Sequence, residues 1–295
     1  MKGLILKAIS GFYYVFADGK IFECKARGNF RNKGESPLVG DSVEITCQND
    51  EKGVIENIYE RKNSLVRPAV ANIDKLFIVS SFVTPAPNTL IIDRLTAICA
   101  FHSITPVIVF NKCDLGDFSS YKAIYEKSGF KTLVVSAQTG QGVEELKCEL
   151  EGCISAFTGN SGVGKSSLLN VIFPDLNLQT GEVSDKLGRG RHTTRHTELF
   201  AHSYNGYVAD TPGFSSLDIQ YLSIEFKEKL IECFPDFSDF IFDCQFADCA
   251  HIGEKGCGVA KAVKEGKIEV SRYESYVAIY NELKDLKSWQ VTKKR

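Results

Sequence analysis

The stretch Gly159-Asn160-Ser161-Gly162-Val163-Gly164-Lys165-Ser166 decides the fold of this chain. It follows the apolar run Cys153 to Thr158 and precedes a helical run, which is the strand, loop and helix context of a phosphate-binding loop. The glycines let backbone N–H groups close around phosphate oxygens at a helix N-terminus. We therefore expect Lys165 to neutralise the β- and γ-phosphates of a nucleotide and the Ser166 hydroxyl to hold Mg²⁺. The structural alternative is a glycine turn beside a surface lysine.

A second motif, Asp210-Thr211-Pro212-Gly213, follows the strand-like run Gly206 to Ala209. An aspartate at a strand end suits the second magnesium position, and the Gly213 N–H would then lie near the γ-phosphate. Alone, the tetrapeptide is a common turn. Its spacing from the phosphate loop favours the magnesium interpretation.

A third motif, Asn111-Lys112-Cys113-Asp114, indicates which base is bound. The Asp114 carboxylate can accept both the N1–H and the exocyclic amine of guanine, whereas adenine presents no matching pair of donors. Ser136-Ala137-Gln138 follows another apolar run and matches the loop that backs a guanine ring. Together with the phosphate loop, these residues predict a GTP site and exclude an ATP-using enzyme.

The apolar runs around these motifs predict a doubly wound α/β domain. Residues 76–80, 105–110, 132–136 and 153–158 are near-continuous apolar runs, separated by helical stretches, as in parallel strands covered on both faces. The guanine elements precede the phosphate loop, which reverses the order of an ordinary GTPase. Circular permutation explains this order, and it attaches whatever follows Gly213 to the segment that responds to the γ-phosphate.

We divide the chain into residues 1–65, 66–219 and 220–295. The first region contains five short β-runs between turn signals, which predicts a closed barrel of the oligonucleotide-binding (OB) type. Basic side chains interleaved with Phe30 lie in or beside its longest loop, where they could meet RNA phosphates: Lys25, Arg27, Arg31 and Lys33. A solvated polar loop is the alternative.

Cys244, Cys249, His251 and Cys257 form the pattern C-x4-C-x-H-x5-C in the third region. Three thiolates and one imidazole make a closed tetrahedral set, which suits one structural Zn²⁺ per chain. Three cysteines cannot all pair with one another in disulfides. Unligated core thiols are the alternative. We expect this helical region to have a core separate from that of the GTP residues.

Composition limits the remaining functional classes. Lysine plus arginine total 35 and aspartate plus glutamate 37, so any basic surface must be local. No apolar run approaches the roughly 20 residues that span a bilayer, so we expect no membrane partner. The ten cysteines are too few for a disulfide scaffold, which favours reduced thiols in the cytoplasm. We expect a monomer.

These motifs together resemble the bacterial ribosome small subunit-dependent GTPase (RsgA) family. The resemblance rests on the permuted order, the 159–167 loop, Gly188-Arg189-Gly190-Arg191-His192-Thr193-Thr194, the 210–213 motif and the cysteine cluster. It implies a multi-domain α/β protein: an OB-fold barrel, a circularly permuted GTPase domain and a C-terminal zinc domain. It also implies binding to the 30S subunit and its 16S rRNA, a role in late subunit maturation, and GTP hydrolysis to GDP that the subunit stimulates. The GTP-binding residues would be Asn111, Lys112, Cys113, Asp114, Ser136, Ala137, Gly159, Asn160, Ser161, Gly162, Val163, Gly164, Lys165, Ser166, Ser167, Asp210 and Gly213.

None of these motifs contains the glutamine that orients the attacking water in many GTPases. Many GTPases place a glutamine where this chain has Phe214, which cannot orient water. His192 is our catalytic candidate, with an RNA contact as its alternative role. By resemblance to GTPases with a Thr-Thr-Arg switch, Thr194 is the preferred magnesium ligand and Thr193 the second. Phe214 also keeps open a different function, a non-catalytic RNA-binding module switched by GTP.

The segment around His192 also carries local positive charge. Its basic side chains are Lys186, Arg189, Arg191 and Arg195. Such a cluster can meet RNA phosphates although the whole chain is slightly acidic. A solvated loop is the alternative.

Overall fold

The computed structural model describes residues 1–28, 30, 36–66, 68–82, 86–174, 197–210 and 223–286. The first five strands are Lys2–Ile9 (β1), Phe12–Ala17 (β2), Lys20–Ala26 (β3), Ser42–Cys47 (β4) and Lys52–Ile58 (β5). β1 pairs with both β2 and β4, while β3 pairs with β2 and β5 and β5 with β4. These pairings close a five-stranded barrel, which confirms the OB-like architecture predicted from the sequence.

A short connector leaves the barrel and is held by a buried ion pair. The Arg61 guanidinium donates to both carboxylate oxygens of Asp41, each at 2.7 Å, and Asp41 is fully buried. The hairpin that follows consists of Ser64–Leu65 (β6) and Val70–Ala71 (β7), and Val70 bridges back to Val39. The carboxylate is therefore paired where it is buried, and the exit from the barrel has a defined geometry.

The second sheet carries the predicted nucleotide motifs. Its strands are Lys75–Ser81 (β8), Thr105–Asn111 (β9), Lys131–Val134 (β10), Ile154–Thr158 (β11), Glu198–His202 (β12) and Gly206–Asp210 (β13). The order is β10-β9-β8-β11-β13-β12, parallel except for β12. The helices are Thr89–Phe101 (α1), Ser119–Lys127 (α2), Val143–Cys148 (α3) and Lys165–Ile172 (α4).

Both faces of this sheet are covered by helices. Leu76 and Ile78 of β8 belong to a core with Ile92 of α1, whereas Phe77 and Val79 belong to a second core with α3 and α4. Alternate residues of one strand thus enter opposite layers, which explains why its sequence is continuously apolar. The doubly wound α/β prediction is confirmed.

The barrel and the second sheet are joined edge to edge. β1 pairs with β12 at Lys7 and Glu198, and the same two side chains form a salt bridge of 2.7 Å. Among the described residues, eleven strands consequently form one continuous sheet. The barrel is therefore attached to the strand that follows the predicted switch segment.

The C-terminal region is helical, and its core is shared with the GTPase domain. It contains Ile224–Glu228 (α5), Gly258–Lys264 (α6) and Val270–Leu283 (α7), with short 3₁₀ turns between α5 and α6. Its buried cluster includes Ala97 and Ile98 of α1. The residues of the predicted GTP site lie in or against other cores, as expected, but the C-terminal core extends onto the GTPase domain because α1 has a second apolar face that the C-terminal helices cover. No helix in the described part of the chain is both long enough and apolar enough to cross a membrane.

Candidate functional site

The phosphate loop connects β11 to α4, as its sequence predicts. Gly159 has a φ of +149°, and a Cβ there would lie 2.3 Å from the Val79 carbonyl oxygen. Gly164 has a φ of +85°, and a Cβ there would lie 2.5 Å from the Asn111 amide nitrogen Nδ2. Both positions therefore require glycine for backbone conformation and for space. The loop is packed tightly against two neighbouring strand ends.

Lys165 is the first residue of α4, and Ser166 and Ser167 follow it in the first helical turn. Burial lowers the pKa of the Lys165 ammonium. Among the described residues, this ammonium has no hydrogen-bond partner. A half-buried cation that lacks an anion, set at a glycine-lined helix N-terminus, fits a phosphate group. The donor set of this loop is therefore suited to the nucleotide predicted from its sequence.

Asp210 ends β13 beside the strand that leads into the phosphate loop. Ala209 lies level with Ala156 of β11, which puts the Asp210 backbone one residue further toward the loop. Its position at this strand end agrees with the spacing argument. The predicted residues Gly213, His192, Thr193 and Thr194, with Phe214 and the basic 186–195 run, lie outside the described residues.

The side chain of Asn111 joins the base motif to the phosphate loop. Its Nδ2 donates to the Val163 carbonyl oxygen at 3.0 Å, and its Oδ1 accepts the Ala137 N–H at 3.1 Å. Lys112 has a φ of +66°, and its ammonium donates to the Gly162 carbonyl oxygen at 2.7 Å. Three motifs that are far apart in sequence therefore meet at the carboxyl ends of β9, β10 and β11.

The Asp114 carboxylate is exposed at this junction and held from one side. The Ser136 hydroxyl donates to Asp114 Oδ1 at 2.5 Å, and the Thr139 N–H donates to the same hydroxyl oxygen at 3.1 Å. Cys113 contributes its backbone N–H to the Val135 carbonyl oxygen at 3.1 Å. Ser136 therefore orients the carboxylate, which leaves acceptor capacity for a ligand with two N–H donors.

Phe82 also supports this loop, and sequence reasoning did not single it out. Its ring packs so closely on Gly116 that a Cβ there would lie 2.3 Å from the ring. It also makes an edge contact with Phe118, with ring centroids 5.6 Å apart. The signal available in the sequence was an aromatic residue directly after a buried strand on the nucleotide edge of the sheet.

The predicted zinc ligands come together in the C-terminal region. The ligand atoms of Cys244, Cys249, His251 and Cys257 all lie within 4.8 Å of one another. His251 Nδ1 is 3.3 Å from Cys244 Sγ and 3.7 Å from Cys257 Sγ. Tetrahedral zinc, with bonds of about 2.3 Å to sulfur and 2.0 Å to nitrogen, separates its ligands by about 3.5–3.8 Å. The donor set and its spacing therefore fit Zn²⁺ with no position left for substrate.

Outer hydrogen bonds orient this cluster. The Gly258 N–H donates to Cys244 Sγ at 3.3 Å, and the Ala260 N–H donates to Cys257 Sγ at 3.4 Å. Burial alone would raise the pKa of the Glu254 carboxyl. Hydrogen bonds from backbone N–H groups, including those of Ala250 and Ile252, outweigh this effect and lower the pKa. Such partners fix the direction of sulfur and imidazole ligands around a metal.

The aromatic residue of the basic barrel loop lies in the core. Phe30 is only 6% exposed and belongs to the core, so it is not an aromatic surface between cations. Arg27 forms a salt bridge with Glu56, and the Lys25 ammonium lies 5.0 Å from the centroid of the Phe12 ring. Arg31 and Lys33 lie outside the described residues. Phe30 therefore contributes to the barrel core, and contact of the basic side chains with RNA phosphates stays a prediction.

Comparison with known families agrees with this geometry. Residues 58–220, more than half of the chain, match the family model described as RsgA GTPase. The chain belongs to the RsgA GTPase family. Residues 2–55 match the model of the RsgA N-terminal domain. Membership makes the protein a GTP hydrolase, and it confirms the family resemblance noted in the sequence.

Individual RsgA relatives match over nearly the whole chain. The small ribosomal subunit biogenesis GTPase RsgA of Alkaliphilus metalliredigens is 44% identical over 96% of this chain and 98% of its own. The protein of the same name from a Geobacillus species is 46% identical over 97% and 98%.

Two solved structures extend the likeness to the fold. YjeQ from Thermotoga maritima has 38% identity and a TM-score of 0.82, over 97% of this chain and 99% of its own. YloQ, described as a circularly permuted GTPase, has 35% identity and a TM-score of 0.81, over 97% and 96%. The permuted order read from the sequence is therefore confirmed at the level of the fold.

Proposed function

We propose that this protein hydrolyses GTP in small ribosomal subunit biogenesis, acting in the cytoplasm as a monomer. It binds the 30S subunit and its 16S rRNA late in maturation, and the subunit stimulates hydrolysis. The names of relatives that match almost the whole chain support the biogenesis role. The observation that carries the GTP site is the bridge made by Asn111 between the base loop and the phosphate loop.

The site residues divide into base, phosphate and metal groups in this proposal. Asp114, oriented by Ser136, accepts the N1–H and the 2-amine of guanine, while Lys165 and the loop N–H groups hold the phosphates. Ser166, Asp210 and Thr194, or Thr193 in its place, hold Mg²⁺. When bound, Mg²⁺ would supply positive charge that offsets the negative charge developing on the phosphates during hydrolysis.

In this proposal, three units take part in GTP binding and hydrolysis on the ribosomal subunit: a barrel of residues 1–65, a GTPase domain of 66–219 and a zinc domain of 220–295. The cysteine cluster holds one structural Zn²⁺ per chain. The barrel and the zinc domain flank the nucleotide site, so GTP can bias how both meet the ribosomal particle.

Phosphate release from GTP with and without purified 30S subunits tests this function. Strong stimulation is the expected result. The alternative is a GTP-switched RNA-binding module without regulated turnover. It predicts GTP-dependent retention on the 30S particle with no stimulated phosphate release, and that outcome would contradict the proposal.

Replacing Lys165 by alanine tests the phosphate loop. We expect GTP affinity to fall about 10- to 100-fold, because a charge-assisted contact with the phosphates is lost. The ratio of GTP to ITP affinity should stay constant, since the base contacts remain. Ser166→Ala should weaken Mg²⁺ dependence in the same base-independent way. Lys147→Ala, on the surface of α3, is the control, and normal hydrolysis by Lys165→Ala would remove this assignment.

His192→Ala tests the group that orients water. A catalytic role predicts that GTP and 30S binding persist while most of the stimulated hydrolysis is lost. An RNA-contact role predicts that 30S binding weakens first, and a sedimentation assay separates the two. Normal stimulated turnover would eliminate the catalytic assignment and direct attention to a residue supplied by the ribosome.

A further inference from the structure

Arg272 of α7 is a fully buried cation at the junction between the C-terminal region and the GTPase domain. It donates to Asp93 Oδ1 of α1 at 2.8 Å and to Asp236 Oδ1 of the C-terminal region at 2.8 Å. Its guanidinium carbon lies 5.0 Å from the Phe130 ring centroid and 4.7 Å from that of Phe234. Arg272 thus pairs with one carboxylate from each domain and contacts one aromatic ring from each domain.

A continuous row of packed rings leads from this arginine to the base loop. Phe130 contacts Tyr125 at a centroid distance of 6.4 Å, and Tyr125 contacts Phe110 at 6.2 Å. Phe110 stacks on Phe118 at 4.9 Å, and Phe118 meets the edge of Phe82 at 5.6 Å. Packed rings of this kind resist displacement because the interior has no space to absorb it.

The far end of this row supports the residues that would recognise the base. Phe110 immediately precedes Asn111, and Phe118 follows Asp114 by one short turn. The Phe82 ring packs on Gly116, in the backbone between them. The apolar side chains of the phosphate loop and α4, Val163 and Leu168, belong instead to the core on the opposite face of the sheet. The row therefore ends at the guanine side of the site.

We propose that Arg272 is a positioning residue for guanine recognition, acting through Phe130 and the ring row on the Asn111–Asp114 loop. This inference rests on the base site proposed above. The C-terminal region thereby sets how well Asp114 meets the base, and a particle that holds that region alters guanine affinity in the same way. The hydrolytic step at the γ-phosphate is not the target.

The experiment compares the affinities of the full chain for GDP and IDP in the presence of Mg²⁺. IDP lacks the 2-amine, so the ratio of the two dissociation constants reports the alignment of Asp114. Phe130→Leu interrupts the row but leaves Arg272 and both carboxylates paired. Arg272→Lys keeps the charge but loses the planar group that meets two rings and two carboxylates. Both variants should reduce the preference for GDP about 2- to 30-fold, with kcat at saturating GTP unchanged.

Phe101→Leu is the matched control, because Phe101 makes an edge contact with Phe226 in the same interface at 5.2 Å but is outside the row. It should keep the preference for GDP. An unchanged preference in Phe130→Leu, or an equal loss in Phe101→Leu, overturns the positioning role. Equal GDP and IDP affinities in the unmodified protein would instead remove the base site and this inference with it. If Arg272→Lys does not fold, Phe130→Leu alone decides.

Discussion

Replacing Asp114 by asparagine is expected to lower GTP affinity about a hundredfold or more and to favour XTP over GTP. The carboxylate accepts two N–H donors of guanine, and each charge-assisted bond contributes about 1.5–3 kcal/mol. An amide presents one acceptor and one donor, which matches the carbonyl that xanthine carries in place of the 2-amine. The Ser136 hydroxyl can still donate to the oxygen of the new amide, so the loop should keep its geometry. Competition between GTP and XTP measures the change directly.

Asp117→Asn is the matched control for this substitution. Asp117 is an exposed carboxylate in the same loop, and it accepts hydrogen bonds from the Ser119 N–H at 2.9 Å and from its hydroxyl. Its loss should affect the start of α2 and leave base preference as it was. Unchanged relative affinities for GTP and XTP in Asp114→Asn would take Asp114 out of the base site.

The strands and the nucleotide loops were predictable because their signals are local. The run Thr105 to Phe110 gives β9 to within one residue, since a strand covered on both faces must be apolar throughout. Gly159 and Gly164 lie where no Cβ fits, so glycine at these two positions indicates the backbone conformation of the loop. The spacing of the three cysteines and the histidine likewise predicts the four ligand atoms that come together in the candidate zinc site.

Contacts between distant parts of the chain were not predictable in the same way. Arg272 looks like a surface residue of an amphipathic helix, yet its partner Asp93 lies 179 positions earlier in the sequence. Ala97 and Ile98 give α1 a second apolar face, but nothing local says that the C-terminal helices cover it. The burial of Phe30 depends likewise on strands from the whole barrel. Tertiary packing decides such positions.

Removing the metal from the cysteine cluster is expected to unfold the C-terminal region and to loosen α1 with it. Structural zinc contributes about 10–16 kcal/mol of apparent binding free energy, which is folding free energy for the unit it holds. Cys257 itself belongs to the buried cluster that includes Ala97 and Ile98. The effect should therefore spread into the GTPase domain and lower the preference for GDP over IDP, while the phosphate loop, in another core, keeps its contacts. Metal analysis should first find one zinc per chain.

Cys249→Ala should cause the same loss of zinc and of C-terminal structure as removal of the metal with a chelator. The variant keeps only two thiolates and one imidazole, so the four-ligand tetrahedral site is incomplete. Cys233→Ala is the matched control: Cys233 is buried in the same cluster but is not among the four ligands, so it should keep zinc and cost about 1 kcal/mol. Hydrogen exchange across α1 and α7 locates the change in each variant. Full protection of α1 after zinc loss would contradict the shared core as a route between the domains, and purified protein without zinc would contradict the metal site itself.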